Sequence, residues 1–328
     1  MPKVSVLMPV FNSGEFLTES IDSVINQSFT DWELIVVNDG STDNSEAIIN
    51  SYNDKRIRYH NNGENRGLIF TRRLMIDMAL GEYIAFLDSD DVALPNRLKT
   101  QIDFLDKNVR YGMCGSWGVQ IDEKGKKGKV LKIATEAAEI RCSLLFSNTF
   151  IQSSVVIRKK LFGDETYNPG FTVAEDYDLW CRLSVKHKLK NIPTPLIKYR
   201  WHQNNISKEK EKLADTLVKS VMKRELVNLG IYATDEEINL HAALRDVKAI
   251  DISRREYFRL LRPWLRKLVG ANQLCRAYDY DTFLAVTCFR WIYGCKIWKS
   301  YHNIFLLPVA LNWKAFLKLS RMIWQRML

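Results

Sequence analysis

The sequence predicts an α/β fold, with a mostly parallel, Rossmann-like sheet over residues 1–207 and a helical region over residues 208–328. Three observations lead to it. Short β-rich runs stop at turn residues, helical spacing fills the intervals between them, and the C-terminal region carries helix-start signals without convincing strands.

Val4-Ser5-Val6-Leu7-Met8 stops at Pro9, and Leu34-Ile35-Val36-Val37 stops at Asn38-Asp39-Gly40. Such short apolar runs suit strands covered on both faces of a parallel sheet. Between them Ile21, Val24 and Ile25 recur at helical spacing, closing a β-α-β unit whose loops at the strands' carboxyl ends form the ligand edge. Asp43-Asn44-Ser45-Glu46 has the residues of a capping box and opens a helix through Ile48 and Ile49. A third strand around Ile57-Arg58-Tyr59, a helix over 68–80, a fourth strand Tyr83-Ile84-Ala85-Phe86-Leu87 and a helix from Pro95, with Leu98, Ile102 and Leu105 inward, complete this half.

Beyond residue 110 the pattern loosens. The turn-rich stretch 122–128 predicts an exposed hairpin or loop. A helix over 136–146, a β-rich run at 154–157, a helix from about Asp176 to Lys186 and a strand through Leu196 to Trp201 finish the first domain. In the second region Thr234/Glu237 and Ser253/Glu256 are capping-box pairs, and the KEK run at 208–212 reads as a solvated helix start or linker.

A chain of 328 residues with 46% hydrophobic and 26% charged residues buries a core, which excludes a disordered polyelectrolyte. The net charge of +10 resembles that of nucleic-acid-binding proteins, but its distribution argues against such a partner. Residues 252–328 hold 14 Lys/Arg against 3 Asp/Glu, and the rest of the chain is nearly neutral. The six cysteines form no CxxC pair and no zinc spacing, so they read as reduced, mostly buried thiols. The N-terminus lacks the apolar stretch and cleavage site of a signal peptide, and the expected location is cytoplasmic.

Three acidic motifs carry the chemistry. Asp88-Ser89-Asp90-Asp91 directly follows the fourth strand; its carboxylates repel one another unless a cation sits among them, and an oxygen-rich cluster suits Mg²⁺ or Mn²⁺. The plainer reading is a cap for the helix near Pro95. Asp39, at the end of the second strand, serves either as a turn residue or as an acceptor for the imino hydrogen of a pyrimidine base. Glu175-Asp176 opens a helix, where the macrodipole alone favours acids, or supplies a general base at the cleft mouth.

The order of these motifs over residues 3 to 207 resembles glycosyltransferase family 2, inverting enzymes of the GT-A fold, in the form found in bacterial surface-polysaccharide synthesis. The strand-Pro-x-Tyr-Asn opening of that family matches Pro9-Val10-Phe11-Asn12, and its Asp-Gly-Ser matches Asp39-Gly40-Ser41. The metal motif matches Asp88-Ser89-Asp90-Asp91, and the Glu-Asp signature matches Glu175-Asp176. Asn65-Arg66-Gly67 followed by Arg72 and Gly81 to Leu87 fits the segment between them, with Arg73 where Asn is usual, so an alternative register through Arg73 stays open. Tyr199-Arg200-Trp201-His202 is similar to the family's Tyr-Arg-x-His.

The resemblance implies a nucleotide-sugar site made by Pro9, Phe11, Asn12, Asp39, Arg72, Asp88, Ser89, Asp90 and Asp91. Asp39 would read the base, favouring a UDP-sugar, and Arg72 would meet the diphosphate or base. Asp88 would lie on the ribose or diphosphate side, and Asp91 would face donor sugar or acceptor. Asp90, with Asp88 and His202, would hold Mn²⁺ or Mg²⁺. Asp176 would be the catalytic base, with Glu175 positioning acceptor or donor hydroxyls. The implied partners are a nucleotide-sugar donor and a glycan or lipid-linked acceptor.

A sugar nucleotidyltransferase also needs an α/β sheet and metal-binding aspartates, but Met8-Pro9-Val10-Phe11-Asn12-Ser13-Gly14 has one Gly and no Lys where a phosphate loop is required. A non-catalytic membrane- or RNA-binding protein explains the basic tail and leaves the acidic motifs unexplained. Five tryptophans interleaved with Arg and Lys in 252–328 suit either a peripheral helix on an anionic membrane, at its inner face, or a helical cap packed on the rest of the chain. Phe283 to Trp298 is interrupted by Arg290 and Lys296 and is too short to span a bilayer.

Overall fold

The computed structural model describes residues 1–163, 165–202, 211–247 and 250–327, with only the backbone of residue 305. The KEK run and the boundary at 207 fall largely outside the described residues. The chain forms two compact units, one of residues 1–135 and 150–211 and the other of residues 136–149 and 212–328.

In the first unit, β1 (Val4–Val10), β2 (Trp32–Asn38), β3 (Ile57–Asn61) and β4 (Tyr83–Phe86) are parallel, with α1 (Leu17–Ile25), α2 (Ser45–Asn50) and α3 (Leu68–Met78) connecting them. Both faces of β1, β2 and β4 are covered, and Val4, Leu7, Leu34, Ile35 and Ile84 are fully buried. After β4 come the short β5 (Val92–Ala93) and α4 (Arg97–Lys107), which turns Leu98, Ile102 and Leu105 inward as the spacing predicts. The chain then makes β6 (Tyr111–Ile121), β7 (Lys127–Leu131), β8 (Val156–Arg158) and β9 (Lys188–Arg200). Among the described residues these join one sheet in the order β3-β2-β1-β4-β8-β6-β9-β5, with β7 paired to β6.

Here the sheet stops being parallel throughout. β8 runs antiparallel to both β4 and β6, while β6 and β9 are parallel. The expected hairpin at 122–128 is the β6–β7 turn. β6 itself, and the full length of β9, are additions to the sequence reading. The capping box expected at Asp43–Glu46 is absent. Asp43 instead accepts from Ser45 N (3.0 Å) and Gly14 N (2.8 Å), and Glu46 accepts from Tyr59 and Asn61. Those side chains across the sheet offer Glu46 better donors than its own helix start.

The helix expected over 136–146 is α5 (Ala137–Ser143), and it packs with the second unit. The first unit resumes at 150 and contributes α6 (Glu175–Lys186). Trp180 of α6 meets Phe86 of β4 edge-on, with ring centroids 6.3 Å apart, and so seats this helix on the sheet.

The second unit is built from α5, α7 (Glu211–Asn228), α8 (Asp235–Ala242), α9 (Arg254–Cys275), α10 (Tyr280–Ile297) and α11 (Trp313–Arg326). Thr234 and Glu237 form the full capping box, whereas Ser253 accepts from Glu256 N without a reciprocal bond. The pull on 136–149 is polar as well as apolar. Arg141 pairs with Glu225 of α7 (3.0 Å), and Phe146 stacks on His241 of α8 with centroids 5.2 Å apart. His241 donates from Nε2 to Leu145 O (2.9 Å) and accepts at Nδ1 from Trp264 Nε1 (3.1 Å). Five cysteines are buried thiols and Cys275 is exposed. No helix among the described residues is long and apolar enough to cross a membrane.

Candidate active site

The parallel register brings three loops side by side. Val10 is level with Asn38, and Leu7 with Phe86, so the chain leaving β1, β2 and β4 emerges at one edge. After β1 and its Pro9, Phe11 is exposed and Asn12 takes a left-handed backbone (φ 47°). Asn12 N donates to Ser41 Oγ (3.0 Å) and its Oδ1 accepts from Thr42 N (2.8 Å), tying the first loop to the second. Ser13 and Ser89 hydroxyls lie 2.7 Å apart, tying it to the third.

Asp39 is buried at the end of β2. Oδ1 accepts from Asn62 Nδ2 (2.7 Å) and Arg66 N (3.0 Å), and Oδ2 from Gly67 N (2.9 Å). The carboxylate therefore gathers the loop before α3 around itself. Gly40 is required beside it: its φ is +75°, and a Cβ there would lie 2.5 Å from the Glu64 carbonyl carbon.

The four residues of the cluster are treated differently by the fold. Asp88 is part-exposed, accepts from Arg72 Nη2 (3.0 Å), and its amide donates to Ser153 Oγ (3.1 Å). Ser89 is buried. Asp90 faces His202, with Oδ2 2.8 Å from Nε2. Asp91, expected to face donor sugar or acceptor, is 1% exposed and accepts from Arg200 N (2.8 Å) at Oδ1, while buried Oδ2 has no hydrogen-bond partner among the described residues. Burial, then the charges of Asp90 and Asp88, push its carboxyl well above the usual range.

Arg200, inside the Tyr-Arg-Trp-His motif but not expected to act, is the organiser of this edge. Its guanidinium donates to Asp90 O (2.8 Å), to the carbonyls of Asp122 and Glu123, and to Glu19. Arg97, fully buried behind the cluster, donates to Phe86 O (2.8 Å); burial lowers its pKa to about 10. Ser20 places its hydroxyl 2.8 Å from Ser89 O and 2.7 Å from Asp91 O. Single serines and arginines of this kind carry no signal in a sequence, apart from the motif around Arg200.

The third acidic motif arrives on α6. Ala174, left-handed at φ 59°, turns the chain into the helix, so Glu175 and Asp176 occupy its first turn. Glu175 is buried and bonds Arg72 Nη1. Arg72 thereby bridges Asp88 and Glu175, its guanidinium turned inward on two carboxylates, while buried Nε lacks a partner among the described residues. Burial raises Glu175 to about 7 against the pull of Arg72; burial likewise opposes the charge of Arg72, but Asp88 and Glu175 hold its pKa above the ordinary value. Asp176 is half-buried and accepts from Tyr177 N (2.7 Å).

Among the described residues no three His, Cys, Asp or Glu side chains are already arranged as a closed metal cage. Asp90 and His202 instead offer an oxygen and a ring nitrogen at one point. That donor set suits a divalent ion completed by phosphate oxygens and water, as is usual for Mg²⁺ at phosphate sites. The fit is to a shared site rather than a resident one.

The sequence pattern of Glycosyl transferase family 2 matches residues 5–165. An uncharacterized glycosyltransferase of Haemophilus influenzae is 32% identical over 218 residues, 63% of this chain and 68% of that protein. The chain belongs to glycosyl transferase family 2. It is accordingly a transferase. It is also 32% identical over 211 residues to the Escherichia coli UDP-Glc:alpha-D-GlcNAc-diphosphoundecaprenol beta-1,3-glucosyltransferase WfgD, covering 64% of this chain and 81% of WfgD. Among solved structures, S. aureus TarS 1-349 in complex with UDP-GlcNAc superposes with a TM-score of 0.58 at 18% identity, over 98% of this chain and 92% of that one. Mannosyltransferase PcManGT from Pyrobaculum calidifontis, in complex with GDP-Man and Mn2+, gives 0.56 at 13% identity, over 97% and 87%. The chain has the GT-A fold of these neighbours, a mixed, mostly parallel sheet with a helical C-terminal region.

Proposed function

We propose that this family 2 enzyme moves a sugar, with inversion, from a UDP-sugar to a hydroxyl of a lipid-linked glycan during surface-polysaccharide synthesis. The observation that carries this reading is the convergence of Asp39, the Asp88/Asp90 pair with His202, and Glu175/Asp176 at one end of parallel strands. The glucosyltransferase activity of WfgD, from UDP-Glc to a diphosphoundecaprenol-linked sugar, supports the donor and acceptor classes, and UDP-GlcNAc in TarS supports the donor.

Asp39, held rigid by three donors, presents its remaining acceptor capacity to the base. Asp90 and His202 would hold Mn²⁺ or Mg²⁺, which when bound neutralises charge on the diphosphate. Asp176 takes the proton of the acceptor hydroxyl as that oxygen attacks the anomeric carbon, and the bond from this carbon to the diphosphate oxygen breaks on the opposite face. Arg72 positions rather than binds: by pairing with Asp88 and Glu175 it keeps the donor-side and acceptor-side carboxylates in fixed relation.

The test is a donor panel with Mn²⁺ or Mg²⁺, read as nucleoside diphosphate release. A UDP-sugar is expected to turn over with an undecaprenyl-diphosphate-sugar acceptor, and silence with every donor sinks the reading. Asp176→Asn is expected to lower turnover by roughly 10²–10⁴ while leaving UDP affinity unchanged. Full turnover in that variant removes Asp176 as the base.

A further inference from the structure

We propose that the outer face of α11 is an interfacial anchor that seats the enzyme on an anionic lipid surface. Trp313, Phe316, Leu317 and Trp324 are 70%, 49%, 50% and 70% exposed. At 100° per residue these positions fall on one stripe of the helix, with Ser320 between them. Trp313 and Phe316 stack with centroids 5.9 Å apart, forming a continuous aromatic surface.

The helix already spends another face on its own unit. Ala315, Leu319 and Met322 are buried, Lys318 pairs with Asp279 and Arg326 with Glu139. A helix of a globular domain needs one apolar face; α11 has two, and the second stands in water. Large aromatic side chains at its two ends are the type that settles at the boundary between headgroups and acyl chains.

Charge selects the occupant. α11 carries Lys314, Lys318, Arg321 and Arg326 and no acidic residue, with Lys314 and Arg321 exposed along one flank of the apolar stripe, Arg321 also meeting the exposed Glu136 (3.3 Å). Exposed Lys296 reaches the same helix end, donating to Met327 O (3.4 Å). A second copy of this chain would bring two such basic faces together, in a segment of net +11 over residues 252–328. An anionic bilayer instead meets the apolar stripe with acyl chains and the flank with phosphates. The inference extends the reading of a lipid-linked acceptor, but its test needs neither donor nor acceptor, so a wrong substrate assignment leaves the result unmoved.

The full chain would be sedimented with vesicles of phosphatidylcholine alone and of phosphatidylcholine with phosphatidylglycerol. Binding to the anionic vesicles, with a blue shift of tryptophan emission, is expected. Replacing the stripe (Trp313→Ser, Phe316→Ser, Leu317→Ser, Trp324→Ser) should reduce partition at least about tenfold with an unchanged circular dichroism spectrum. Lys314→Glu with Arg321→Glu should reduce binding to anionic vesicles and leave neutral ones unaffected, a variant that keeps the apolar face intact. The proposal is overturned if the natural chain binds no vesicle, or if the stripe variant binds equally well. It is also overturned if sedimentation velocity shows a dimer that the stripe variant dissociates while vesicle binding persists.

Discussion

Asp90 and Asp91 are adjacent and chemically identical, yet one faces His202 and the other is sealed under Arg200. The acidic motif was legible because three carboxylates after an apolar strand are hard to explain without a ligand. Which of them is available was not, because the partners come from far along the chain: Arg200 lies 109 positions from Asp91, and Glu175 lies 103 from Arg72. The same distance hid the inward turn of Arg72. For metal binding, His202→Ala is expected to weaken Mn²⁺ affinity in the presence of UDP by roughly 10–100-fold, as loss of an outer or inner ligand does, measured by titration calorimetry. Arg72→Met leaves Glu175 buried opposite no charge and should cost about 3–5 kcal/mol in denaturant unfolding. A loss under 1 kcal/mol, roughly the value of an exposed pair, would show that the bridge is not desolvated.

At the scale of elements, β1, β2 and β4 were readable because each is a short apolar run closed by a turn residue, whereas β3, with Arg58 and His60 among its five residues, shows only a weak β-rich core at Ile57-Arg58-Tyr59. β6 was not readable, since Gly112, Gly115 and Gly118 dilute its strand character. Tertiary packing accounts for one of them directly: a Cβ on Gly115 would lie 2.3 Å from Asn191 Oδ1 on β9. Spacing alone also made a capping box of Asp43–Glu46, although the donors that Glu46 meets lie on β3 and just beyond the reach of a local rule. The loop between β2 and α2 has a similar long-range constraint at Gly40. Gly40→Ala should displace the loop that Asp39 gathers, lowering UDP affinity together with a stability loss of about 1–3 kcal/mol. Thermal melts with and without UDP check both parts; an unchanged melt with unchanged UDP binding would show that the close approach is not needed.

Across the whole molecule, one buried histidine gives the helical unit a pH response of its own. His241 belongs to the helical unit, where burial lowers its pKa to about 4 from an ordinary 6.5 and its two bonds require the neutral ring. Between those values the unfolded chain takes up a proton that the folded unit refuses. Stability from this site is complete above pH 6.5 and declines as pH falls toward 4, by up to about 3 kcal/mol. Denaturant titrations followed by tryptophan emission should show this slope, and His241→Gln should flatten it. A slope unchanged by that substitution would assign the acid sensitivity to other groups.

The alternation of strands and helices, the carboxyl-end placement of Asp39 and Asp88–Asp91, the helix that carries Glu175-Asp176, and the concentration of charge in the tail are all written in the residue order. These follow from local patterns: apolar period, turn chemistry and composition. Tertiary structure alone decided that β8 reverses direction in the sheet, that residues 136–149 join the helical unit, that Arg72 and Arg200 hold the acidic motifs in place, and that Trp264 is buried while Trp313 and Trp324 face solvent. Each of these depends on which distant groups satisfy a buried charge or fill a face, and such partners cannot be read from spacing along the chain.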